Sequence, residues 1–120
     1  ISTASMPASA NAEIDPESNA TFQKFCEDSV GTKERVASFG SGVCLGAINA
    51  VISTSSSNQT FMMREYKFKP VLCIPEGYTT KQGVKVYLKW IKEHPERLHE
   101  PAFAGMYASH LKAFPCSNLE

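Results

Sequence analysis

Cys73 stands just before one amphipathic helical pattern, and Cys116 just after the next. Only the short turn around His94-Pro95-Glu96 separates the two patterns, so they read as an antiparallel helical hairpin whose outer ends lie side by side. Cysteines at those two ends are within bridging reach. Cys26 and Cys44 bring the count to four in 120 residues, which fits a two-disulfide framework in an oxidising compartment. A chain of this length is one domain with a modest core, short of the size at which burial alone is comfortable.

Twelve basic and twelve acidic residues are intermingled and leave a formal charge of zero. No basic stripe supports nucleic-acid or anionic-membrane binding. No apolar run approaches the roughly 18 residues of a membrane span. Near the amino terminus, Met6-Pro7-Ala8-Ser9-Ala10-Asn11-Ala12 holds two overlapping small-x-Ala patterns, Ala8-Ser9-Ala10 and Ala10-Asn11-Ala12. They are of the kind that ends a secretory signal peptide. Residues 1–12 are therefore read as a signal-peptide remnant or disordered tail, residues 13–118 as a single helical domain, and Leu119-Glu120 as a cloning scar.

Four helices are expected, at about 16–30, 36–53, 79–93 and 101–114, with at most a turn of helix between 60 and 70. Asp15-Pro16-Glu17 carries the start signals of the first helix, whose inner face holds Phe22, Phe25, Cys26 and Ser29. Val43, Cys44, Ala47, Ile48, Val51 and Ile52 give the second helix a broad buried stripe. Gly42 and Gly46, one turn apart, predict close approach of another backbone, and Asn49 a helix-packing amide. Residues 53–60 are too polar to pack and read as a long loop on which the helical bundle does not depend. Thr79 and Gln82 form a capping box for the third helix, whose buried face is Val84, Tyr87, Leu88 and Ile91. Phe103, Met106, Tyr107, His110, Leu111 and Phe114 line one side of the fourth. The fold class is all-α, a small disulfide-linked four-helix domain, orthogonal or bundle-like.

Catalytic chemistry finds little support. His94, His99 and His110 lack the i, i+4 spacing of a helical zinc motif. His94, ahead of a proline at a helix end, suits a capping role. All four cysteines are better used as disulfides than as nucleophiles. Glu93, Glu96 and Glu100 read as a solvated face, and Gly40-Ser41-Gly42 lacks the strand that a phosphate loop needs. No cofactor and no metal are expected. By elimination the chain is a binding protein, not an enzyme.

Four elements resemble the Rap/Tai immunity proteins of bacterial type VI secretion systems: Cys44-Leu45-Gly46, Cys73-Ile74-Pro75-Glu76-Gly77, His94-Pro95-Glu96 and Phe114-Pro115-Cys116. The resemblance covers about residues 22–116. Ala47 stands where the pattern usually has an aromatic residue, and Asn49 where it commonly has an acid; both departures leave the scaffold undisturbed. The resemblance implies a periplasmic, non-enzymatic, commonly dimeric protein. Its partner would be a secreted peptidoglycan amidase similar to NlpC/P60-type cysteine peptidases, whose substrate groove it blocks.

Blocking a groove calls for a protruding element on a rigid base, and residues 53–68 are the expected one. Ser55, Ser56, Asn58 and Gln59 would supply its polar contacts and Phe61, Met62 and Met63 its anchors. Two other readings remain: a periplasmic small-ligand carrier with an enclosed apolar pocket, and an acid-stress chaperone that loses fixed packing at low pH. Of the three possible disulfide pairings, Cys73–Cys116 with Cys26–Cys44 joins the ends of consecutive antiparallel helices, so neither bridge crosses the bundle.

Overall fold

The computed structural model describes residues 17–30 and 39–116. The signal-like segment, Asp15, Pro16, residues 31–38 and the carboxy-terminal pair lie outside the described residues. The described residues form four α-helices: α1 (Asn19–Val30), α2 (Phe39–Tyr66), α3 (Thr80–Glu93) and α4 (Ala102–Ala113). A single 3-10 turn, Pro95–Arg97, joins α3 to α4. Among the described residues there is no strand, only the isolated bridges Ser18–Pro101 and Leu72–Pro115. The class is all-α.

α1 begins three residues later than its proline signal suggests, because Ser18 is the cap: its Oγ accepts from Thr21 N–H at 3.2 Å. The start of α4 is held from the same place. Glu17 C=O accepts from Ala102 N–H at 2.7 Å, and Glu100 C=O accepts from Asn19 N–H at 2.8 Å. Asn19 is buried, and its Nδ2 donates to Arg97 C=O at 2.8 Å while its Oδ1 accepts from Tyr87 Oη at 2.6 Å. One side chain thus ties α1, α3 and the 3-10 turn together. A Cβ on Gly105 would collide with that same amide, which is why α4 carries a glycine there.

Phe22, Cys26, Cys44, Ile48, Val84, Tyr87, Trp90, Ile91, Ala102 and Met106 form the core. Every helix contributes, at the helical spacing that the sequence shows. The capping box on α3 is present: Thr79 Oγ1 accepts from Gln82 N–H at 3.1 Å, and Gln82 Oε1 accepts from Thr79 N–H at 2.8 Å. His94 closes α3. Its backbone N–H donates to Ile91 C=O, its ring Nδ1 lies 2.8 Å from Trp90 C=O, and the ring stacks on Trp90. The disulfides are Cys26–Cys44 and Cys73–Cys116.

Several local expectations are overturned. Residues 53–60, read as a polar loop, and 61–66, where at most a turn of helix is expected, continue α2 to a length of 28 residues. Serine, threonine and asparagine cost only about 0.5 kcal/mol each against alanine in a helix. No glycine or proline interrupts residues 47–69, so a helix nucleated by its packed first half propagates cheaply. Gly42 and Gly46 meet nothing within 4 Å of a built Cβ, so the close approach expected there does not occur among the described residues. Asn49 faces solvent instead of packing. The close contact falls at Gly83, where a Cβ would lie 2.8 Å from Ile48 Cγ2. On α4, Phe103 and Tyr107 are exposed, because the inner face is the narrower stripe of Met106 and His110.

Candidate functional site

α2 divides into a packed half and a largely exposed half. Its first half packs against α1 and α3 through Cys44 and Ile48. Its second half projects from the core, and between 53 and 66 only Ser55, Gln59 and Met62 are substantially covered. Their i, i+4, i+7 spacing is one face of the helix, and that face rests on the returning chain. At the tip, Lys67 adopts a left-handed conformation (φ 59°) and its N–H donates to Met63 C=O at 3.1 Å. This cap ends α2 and reverses the chain.

Gln59 fastens the return. Its Oε1 accepts from Val71 N–H at 2.9 Å and Leu72 N–H at 3.0 Å, and its Nε2 donates to Leu72 C=O at 2.8 Å. On the opposite side, Cys73 N–H donates to Phe114 C=O at 2.9 Å and Cys116 N–H to Val71 C=O at 3.3 Å, beside the Cys73–Cys116 bridge. The extended segment is therefore held between α2 and the end of α4 by hydrogen bonds and one covalent link.

A groove of about 510 Å³ lies along this junction. One wall is α2, with Thr54, Ser55, Asn58, Gln59 and Met62; the other is Phe68, Lys69 and Val71, with Tyr107 from α4. Below the groove's return segment, Pro75 to Tyr78 turn with Gly77 at φ 82° and bring Tyr78 onto α4. The Tyr78 hydroxyl lies 2.9 Å from Nε2 of the buried His110, and burial pushes the hydroxyl up to about 12.

The seven residues expected to contact a partner separate into three groups. Ser55, Asn58, Gln59 and Met62 line the groove. Phe61 and Met63 stand exposed on other sides of the helix, at 50% and 39%. Ser56 is exposed, and its C=O accepts from Thr60 Oγ1 at 3.0 Å. Gln59 also serves structure, through the clamp on the return. The groove and tip also hold residues beyond the seven named contacts. Tyr66 and Phe68 continue the aromatic surface from Phe61, with ring centroids 6.1 and 6.2 Å apart in succession, and Tyr107 had been placed with the core stripe. A run of Phe, Tyr and Phe bearing Arg64, Lys67 and Lys69 among them was the available signal.

No group of three His, Cys, Asp or Glu side chains suited to a metal ion occurs among the described residues. This surface combines exposed rings at its tip, a polar helix face and an open groove behind them.

No curated protein and no solved structure gave a significant match to the chain. The family model of the Rap1a immunity proteins matches residues 18–116. Within the matched range, the elements that carry the sequence resemblance sit in the scaffold: Cys44 in a buried disulfide, Gly77 in a turn, His94 at a helix cap, and Phe114-Pro115-Cys116 bonded to the return segment. With its match spanning nearly the whole described structure, the chain belongs to the Rap1a immunity protein family.

Proposed function

We propose that this immunity protein acts in the periplasm, where it binds and inhibits a peptidoglycan amidase of NlpC/P60-like type delivered by type VI secretion. It carries out no chemistry itself and works as a homodimer. The observation that carries the reading is the family match over residues 18–116. It is supported by a projecting helix that ends in the exposed side chains Phe61, Met63 and Tyr66, with Phe68 just beyond its cap. Such a tip obstructs a substrate groove by filling it: rigid rings bring large apolar area at small entropic cost. Two disulfides suit a compartment that keeps thiols oxidised. The groove beside α2 is open and has a polar wall, unlike the enclosed apolar pocket that a small-ligand carrier requires.

The blocking element is helical, so exchanging residues 59–63 for a Gly-Ser stretch would break α2 and the Gln59 clamp. Point substitutions at the tip are the appropriate test. Phe61→Ser combined with Tyr66→Ser is expected to weaken calorimetric binding to an amidase of this type by at least ~2 kcal/mol, with an unchanged far-UV signal. Wild-type affinity in that variant would move the inhibitory surface to the exposed faces of α3 or α4. Failure of the wild-type protein to bind any such amidase would remove the assigned target class.

A further inference from the structure

We infer that the groove beside α2 receives an extended, acidic segment of the effector protein, held through its backbone by the Asn58 amide. The molecule contains the precedent one residue away. Gln59 substitutes for a neighbouring strand, accepting from two consecutive backbone N–H groups and donating to Leu72 C=O. Asn58 carries the same amide and lines the open groove, where it is exposed and its side chain makes no hydrogen bond among the described residues. A side-chain amide supplies both the donors and the acceptor that an extended peptide presents.

The remaining lining determines what kind of segment fits. Side chains along an extended chain alternate, so a segment whose backbone faces Asn58 places every second side chain against the apolar surface of Met62, Phe68 and Tyr107. Lys69 is the one charged residue lining the groove among the described residues, and it selects a carboxylate at a neighbouring position. The occupant is thus an alternating apolar and acidic strand, supplied by the effector while the α2 tip enters the effector. Only the identity of the occupant rests on the immunity reading; the chemistry of the groove is testable without an amidase, so the two fail separately.

The test is an NMR titration of the full chain with an acetylated, amidated Val-Glu-Val-Ala-Val peptide, at concentrations up to about 5 mM, the range of an isolated strand's affinity. Saturable shifts are expected at the Asn58 side-chain amide and at residues 68–71. Asn58→Ala, or N-methylation of the peptide, should weaken binding about tenfold, the loss of one well-made pair of hydrogen bonds. Replacing the peptide's glutamate by lysine should weaken it further. Absence of saturable shifts, or equal binding by the Asn58→Ala variant or the N-methylated peptide, overturns the proposal. If the peptide binds only after residues 1–16 are deleted, the occupant is the chain's own amino-terminal segment. If the same resonances move on dilution without peptide, it is a second copy. Either result overturns the assignment to the effector.

Discussion

His110 is buried with its Nδ1 2.9 Å from Met106 C=O and its Nε2 2.9 Å from Tyr78 Oη. The neutral ring satisfies both contacts, donating from Nδ1 and accepting the tyrosine proton at Nε2. Burial disfavours the imidazolium and lowers the ring's pKa, against the smaller opposing effect of the Met106 carbonyl. Below the ordinary value of about 6.5, the unfolded chain therefore takes up a proton that the folded chain resists. The stabilisation is complete above that value and is lost as pH falls through the interval down to the folded pKa. Denaturant titrations should show the wild type losing stability faster than His110→Gln across this interval, with a difference in slope approaching about 1.4 kcal/mol per pH unit. Parallel pH profiles for the two proteins would show that the ring does not titrate differently on folding.

α2 shows how little local composition says about an element once its nucleus is packed. Its outward face carries Gly42 and Gly46 with open space around them, and nothing in the described residues explains glycine at either position. Each costs about 1 kcal/mol against alanine in a helix interior. Gly42→Ala and Gly46→Ala should therefore each stabilise the protein by about that amount, read as a higher denaturation midpoint with an unchanged m-value. Destabilisation by either substitution would reveal a neighbour at that face. In the distal half the same physics reads differently. Helix there survives on propagation and on the Gln59 clamp, which is why the tip holds its exposed rings on a helix without a core beneath it.

For the whole molecule, the two cross-links play unequal parts. Cys26 and Cys44 have no exposed surface, whereas Cys73 is exposed and Cys116 is 9% exposed. The first closes a separation of 18 residues and the second one of 43, worth about 3 and 4 kcal/mol on the chain-entropy account. Mild dithiothreitol followed by alkylation and peptide mapping should give a species modified at Cys73 and Cys116 while Cys26–Cys44 stays intact, since exchange needs access to sulfur. Modification of Cys26 and Cys44 first would mean that the α1–α2 junction opens more readily than its burial implies.

What the sequence by itself determined is what depends on near neighbours along the chain. The capping box at Thr79, the helix stop at His94, the apolar stripe of α3 and the all-α class are set by residues three or four apart, a spacing visible without a fold. The bridging of Cys73 to Cys116 follows from the same logic, because a hairpin of two helices fixes where its ends meet. The tertiary structure alone decided the rest. Residues 53–60 are helix because a packed segment precedes them and a returning chain is clamped to Gln59 twelve residues on. Asn19 became a buried hub, and Tyr107 part of a groove, through partners 68 or more residues distant or on another element. Such contacts leave no periodicity in the sequence, since the free energy that selects them comes from surfaces that meet only after the chain has folded.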